Sequence, residues 1–392
     1  MFFVKKIRIY KLKAFAQVMW RDFLYLINLP AQLNLTHGNT LRIPKKNKIT
    51  TVEQWKAGHE YINYQEIRPQ SNMEVTEKYS LNGLKPKQFS KNLLFFPKVF
   101  ILKIKSAHLT GDGLVITSDN KILSDFYNEM GKELVHNIIF TKWNLPKPIL
   151  INKAAALIDK QSNCYFHWLF DVLPRLFILL DNGHDKIEKY LFYKLEYRFQ
   201  SETLDLLGIS LDKIIQTDKN SLFKVAELIV PSLPGTSGVV PLESCRILRE
   251  KMLDKNIVKD VNYQKIYISR SKAGARRIIN EKEFMATLEK LGFKCLNLED
   301  YKLTDQIKIF YSAKIVISPH GSGLSNLVFC EPKTKAIEIF SDTFLNDCYR
   351  NLSNHCDLDY YYYIESANKL TSDDITINEN NFIKLLKENK IL

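Results

Sequence analysis

The chain has 392 residues, enough for two domains with full cores, and its 45% hydrophobic content and mean hydropathy of −0.19 are those of an ordinary globular protein. Lys and Arg outnumber Asp and Glu by 56 to 43, a net +13 that favours anionic partners: nucleic acid, acidic lipid, or phosphorylated and acidic sugars. The six cysteines are scattered without CxxC spacing, and no apolar run approaches the ~20 residues of a membrane-spanning helix, so a disulfide scaffold, a cysteine metal site and a helical membrane protein are all disfavoured. A reduced, cytoplasmic compartment is the simplest reading.

In chain order, the first 21 residues carry Lys5, Lys6, Arg8, Lys11, Lys13 and Arg21, with no acid before Asp22. Phe2, Phe3, Ile7, Ile9, Phe15 and Trp20 are interleaved among them. The charges interrupt any signal-peptide core. Two readings stay open, a basic amphipathic segment on an anionic membrane surface or a helix packed on the protein with a solvated basic face. Residues 36–90 are polar and suggest no role. From Asn92 to Tyr127, β-rich runs alternate with turn signals at Gly111-Asp112-Gly113 and Asp119-Asn120, which predicts a small antiparallel β region. Strands are expected at 149–151, 190–193, 213–216 and 227–230, and a helix over 164–180 that Pro174 kinks or ends.

Residues 231–246, rich in Pro, Gly and Ser, read as an interdomain connection. Beyond them the spacing predicts strands at 265–269 and 293–298, and a helix capped by Asn280 with Glu283 as its capping-box partner. A helix over 304–313 and a strand at 315–317 lead to the turn His320-Gly321-Ser322-Gly323, followed by an apolar helix start and a strand at 336–340. Tyr360–Tyr363 reads as a strand with aromatic faces, and residues 378–392 as a last helix burying Phe382, Leu385 and Leu386. The expected units are 1–90, 91–245 and 246–392, the last two being α/β units with a ligand cleft at the carboxyl ends of their strands.

Three clusters carry candidate chemistry. His167 and Asp171 lie four apart on an otherwise apolar helix, where they share a face. They are either a mutually satisfied pair with Arg175 as partner, or a general base with its pKa raised by the apolar setting. Ser269 and Arg270 end a strand, and Lys272, Gly274, Arg276 and Arg277 follow before the capped helix. Basic residues at a strand end and helix start suit a phosphate, although a solvated basic loop explains many such runs. The third cluster is the 320–323 turn; with Arg270 in the same sheet it describes a diphosphate site. Glu338, in the next strand, is a candidate acceptor for a ribose hydroxyl or a strand-end surface carboxylate. No GxGxxG, Walker lysine or metal-chelating Asp-x-Asp is present.

Four motifs in order, HWLFDVLPRL, YISR followed by RRIINE, DQIKIFYSAKIVISPHGSGLSNLVF and the closing IEIF, resemble glycosyltransferase family 61. The β-rich AHLTGDGLVITSDNKIL resembles the lead-in of its bacterial members, and the likeness covers roughly residues 95–345. The resemblance implies a GT-B-like fold of two facing Rossmann-like domains. It also implies inverting transfer from a nucleotide sugar, with no cofactor and no metal; nucleic acid is disfavoured as a partner because no recognised binding motif accompanies the +13 charge. By position, Asp171 with His167 would be the base, and Arg270, the His320–Gly323 turn and Asn326 would hold the diphosphate. Ser322 stands where the family often has Ala. A bacterial member would act on cell-surface polysaccharide through a glycan or lipid-linked glycan acceptor, in the cytoplasm or peripherally on the inner membrane face.

Overall fold

The computed structural model describes residues 49–56, 63–75, 79–90, 93–127, 137–142, 145–184, 186–236, 238–367 and 373–392. The basic segment of residues 1–35, and with it the membrane-surface expectation, lies outside the described residues. No helix among the described residues is long and apolar enough to cross a membrane.

Two sheets organise the described chain. The first has nine strands and is mixed. Its parallel part runs from Leu222–Pro231 through Ile149–Ala156 and Tyr190–Tyr193 to Ile214–Thr217. On the other side of Leu222–Pro231 the strand Val99–Thr110 pairs antiparallel, and it carries Asn63–Arg68 and Val115–Ile116 along its free edge. The antiparallel pairings expected around residues 92–127 are present, as one side of this larger mixed sheet. Val99–Thr110 is buried along most of its length on both faces, so it belongs inside a sheet rather than in a half-exposed hairpin.

The second sheet is six-stranded and wholly parallel, in the order Lys294–Leu296, Lys265–Ile268, Ile315–Pro319, Lys335–Ser341, Asp359–Glu365, Tyr79–Ser80. Its first five strands follow the chain as 2-1-3-4-5, so the winding reverses between 265–268 and 315–319. Helices Glu281–Lys290 and Glu379–Glu388 cover one face through Phe284, Leu288, Phe382 and Leu386. Helices Leu303–Ser312 and Cys348–His355, with the 3-10 helix Ser322–Phe329, cover the other. The sixth strand comes from far earlier in the sequence. Tyr79–Ser80 docks beside Tyr361–Tyr362, Leu81 enters the core, and Phe89 packs edge-on against Tyr362. The 79–90 segment thus serves the C-terminal sheet.

Three local expectations need correction. Pro174 does not end its helix, which runs from Tyr165 to Asp181 with a π-helical stretch at Trp168–Val172 just before the proline. The wider turn accommodates a residue that lacks an N–H and crowds the preceding carbonyls. Asn280 does not form a capping box: its side chain instead bonds both the N–H and the carbonyl of Ile377. Leu385 is only partly buried, while Phe382 and Leu386 are the buried pair of the last helix.

One apolar core, containing Trp168, Leu173 and Ile229 from the first unit and Val316, Leu327 and Tyr360 from the second, runs between the two sheets. Helix Leu242–Met252 begins inside the expected connection and joins this core through Cys245 and Leu248. Its Arg249 donates to the carbonyls of Val328 and Cys330 at 2.7 and 2.6 Å.

Candidate active site

Where the winding of a parallel sheet reverses, the loops leaving the two central strands diverge and open a crevice at their carboxyl ends. Here those loops are Ser269–Arg270 and His320–Gly321, so two of the three clusters marked in the sequence meet at the switch point.

The Arg270 loop is built on a buried carboxylate that the sequence reading passed over. Glu281, at the first turn of helix 281–290, accepts from Tyr267 Oη at 2.6 Å, Ser269 Oγ at 3.0 Å and the Arg270 N–H at 3.2 Å. A buried carboxylate is stable only when so satisfied, and here it fixes the loop backbone. Ser269 is buried in that network and bonded to Ser271, so it acts as scaffold. The Arg270 guanidinium donates to the Ala275 carbonyl at 3.0 Å and leaves Nε without a partner. Burial, and next the Arg276 charge, lowers its pKa from the ordinary value. Its head lies against Gly321: a Cβ there would be 1.7 Å from Nη1. Gly321 is extended, with φ 178°, so glycine is required to make room for Arg270 rather than for its dihedrals.

The two following arginines diverge. Arg276, in the left-handed region at φ 60°, places its guanidinium 4.5 Å from the centre of the Phe344 ring and stays beside Arg270. Arg277 is engaged by Asp374, which accepts its N–H on one oxygen and its Nε and Nη2 on the other, at 2.8 to 3.1 Å. That pairing takes Arg277 out of the expected anion cluster.

His320 is buried among Phe340, Phe344 and Tyr349, with ring centres 5.2 to 5.3 Å away. Its Nδ1 meets Glu338 Oε1 at 2.5 Å, and Tyr360 Oη donates to Glu338 Oε2 at 2.5 Å. Glu338 is 1% exposed with both oxygens in use, so it is the partner of His320, neither a surface carboxylate nor an open acceptor for ribose. Asn326 is likewise fully buried and consumed by the protein. It accepts from Tyr165 Oη at 2.8 Å and donates to Gln306 and the Gly323 carbonyl, which makes it a staple between the two units rather than a diphosphate contact. Ser322 and Gly323 remain partly exposed at a helix start, where the first N–H groups lack intrahelical acceptors.

The facing wall is the 165–181 helix. His167 Nδ1 and Asp171 Oδ2 are 2.6 Å apart; Asp171 is 5% exposed, whereas 20% of the His167 side chain is accessible. Burial pushes the Asp171 carboxyl above its usual range, opposed by the hydrogen bond from His167. Arg175 is not the ion-pair partner expected. It is 2% exposed and donates to the carbonyls of Ala156, Ile158 and Pro231, knitting the helix to its sheet. A run of rings joins the two walls: His167 to Phe166 at 5.4 Å, Phe166 to Tyr349 at 5.8 Å, Tyr349 to His320 at 5.2 Å. The site therefore pairs a His–Asp dyad on one unit with a cationic, histidine-bearing switch point on the other. Among the described residues no three His, Cys, Asp or Glu side chains converge as a metal ligand set.

Comparison with known proteins gives the class first: the chain is similar to glycosyltransferases. It is 22% identical over 222 residues to protein O-linked-mannose β-1,4-N-acetylglucosaminyltransferase 2 of Xenopus tropicalis, covering 50% of this chain and 38% of that protein. It is 27% identical over 139 residues to a β-1,2-xylosyltransferase of Oryza sativa subsp. japonica, covering 32% of this chain and 26% of that one. The chain thus spans well under half the length of either relative. Within the class, residues 165–337 match the family model described as Glycosyltransferase 61. The match includes His167, Asp171, Arg270 and the 320–323 turn, and ends one residue before Glu338.

Proposed function

We propose that the protein is an inverting glycosyltransferase that moves a sugar from a nucleotide-sugar donor to a glycan hydroxyl, with the two sheets acting as the facing halves of a GT-B-like enzyme. The observation that carries this reading is the meeting of Arg270 and His320 at the switch point, opposite the His167–Asp171 dyad. The donor diphosphate lies at the switch point against Arg270, Arg276 and the N–H groups opening helix 322–329. The acceptor hydroxyl lies toward His167.

In the transfer, the acceptor oxygen bonds to the anomeric carbon as the bond from that carbon to the phosphate oxygen breaks on the opposite face. The acceptor proton passes to the His167–Asp171 pair. Asp171, buried beneath the imidazole, holds the proton on Nδ1 and makes Nε2 the accepting nitrogen. The roles are thereby ordered: His167 takes the proton and Asp171 orients it. Negative charge gathers on the leaving diphosphate, where the arginines and helix-start dipoles stabilise it. These side chains can supply the neutralisation themselves, so transfer in the presence of EDTA is expected to match transfer with added Mg²⁺ or Mn²⁺. A rate that collapses on chelation would contradict that division of labour.

The acceptor is a hydroxyl of a surface polysaccharide or its lipid-linked precursor, reached from the cytoplasm. The test is a screen of nucleotide sugars for transfer or slow hydrolysis, beginning with donors of N-acetylglucosamine and xylose, the sugars in the two relatives' names. Product with inverted anomeric configuration supports the reading. Nucleotide binding without transfer or hydrolysis of any donor would favour a non-catalytic binding protein.

A further inference from the structure

Glu338 sits in the buried part of strand Lys335–Ser341, between Ile337 and Ile339, where an apolar residue would pack without penalty. It is opposite Ser318 on one side and Tyr362 on the other. Alternate residues of a strand share a face, so His320, two beyond Ser318, and Tyr360, two before Tyr362, lie with Glu338 on one diagonal of the same face. The contacts follow that diagonal: Tyr360 Oη to Glu338 Oε2, and Glu338 Oε1 to His320 Nδ1, each at 2.5 Å. Tyr360 Oη donates to one Glu338 oxygen, and where the other accepts as a carboxylate oxygen, Nδ1 of His320 is the nitrogen that carries hydrogen. The remaining nitrogen, Nε2, has no hydrogen-bond partner among the described residues, and the ring is clamped between Phe340, Phe344 and Tyr349.

We infer that Glu338 and Tyr360 are positioning residues that lock His320 in one tautomer and orientation, presenting Nε2 to the leaving phosphate beside Arg270. The inference rests on the proposed transfer reaction and deepens it. The site then has two histidines, each held through Nδ1 by a buried carboxylate, one on either wall. His167 receives the acceptor proton, and His320 contacts the phosphate oxygen released as the anomeric bond breaks. Glu338 acts only through His320, whereas a carboxylate needed merely for folding would act on stability whatever residue stood at 320.

Two measurements separate these cases. In protein labelled with ¹⁵N-histidine, the His320 signal, assigned by its loss in His320→Gln, is expected to report hydrogen on Nδ1, and Glu338→Gln to abolish that preference. Hydrogen on Nε2 alone in the unaltered protein would overturn the inference. In kinetics, Glu338→Gln should lower kcat about 10- to 100-fold with little change in donor KM, the size of loss usual for the partner of a working histidine. Tyr360→Phe should give a smaller loss in the same direction. The double variant His320→Ala with Glu338→Gln should be no slower than His320→Ala alone. Losses that multiply in an active enzyme would overturn the positioning role and leave the transfer reaction standing. Failure of the unaltered protein to turn over any nucleotide sugar would instead remove the transfer reaction and this inference together.

Discussion

At the scale of single residues the site is decided by what each polar side chain has left to offer. Arg270, Arg276 and Arg277 look equivalent in sequence, yet only the first two stay together. Arg277→Ala should therefore leave nucleotide affinity unchanged within about twofold while costing about 1–3 kcal/mol of stability, because it removes both side-chain donors to one oxygen of the buried Asp374. Denaturant melts and nucleotide titrations check the two halves separately. Gly321 shows the opposite logic. Gly321→Ala must push the Arg270 guanidinium aside, and should weaken nucleotide binding about as much as Arg270→Ala does, by about tenfold or more. An alanine variant that binds nucleotide normally would mean that Arg270 is not a diphosphate contact. The pairing of Gly321 with Arg270 was legible only as two anion-favouring loops. That a side chain rather than a backbone turn demands the glycine depends on packing across the sheet, which no local pattern encodes.

Among the elements, strands and helices after residue 260 were legible because each carries its own period. The buried stripe of Phe284 and Leu288, Gly292 in the left-handed region at φ 83°, and the β-branched Ile315–Ile317 all signal locally. What was not legible depended on distant partners. Asn280 forgoes its own helix because Ile377 offers two backbone groups, and Tyr79–Ser80 is a strand only because Tyr361–Tyr362 supplies an edge. The helix Cys348–His355 makes a testable case of the same kind. His355 packs near Phe96, and burial lowers its pKa from 6.5 to about 4, opposed by a weaker backbone contact with Val240. A histidine whose folded value is depressed contributes fully above its unfolded pKa and loses that contribution as pH falls through the folded one. Stability should thus decline between pH ~6.5 and ~4, and His355→Gln should flatten the decline by about 1–3 kcal/mol. Parallel melting curves over that window for the two proteins would refute the assignment.

For the whole molecule, the α/β character was readable from alternating strands and helices, but the seam between the two sheets was not. Asn326 looked like a ligand contact; its partner Tyr165 lies 161 residues away and turns it into a joint. The shared apolar core, the Arg249 contacts and the ring path through Phe166 and Tyr349 hold the His167–Asp171 dyad against the switch point. This explains why neither wall alone suggested a complete site. The central claim is that proton removal belongs to one wall and donor binding to the other. It is tested most directly by measuring kcat and donor affinity together for Asp171→Asn. Turnover should fall about 10²- to 10⁴-fold, as expected when the general base His167 loses the carboxylate that orients it, while donor affinity stays as it was. Unchanged turnover, or a loss traced entirely to donor binding, would contradict it.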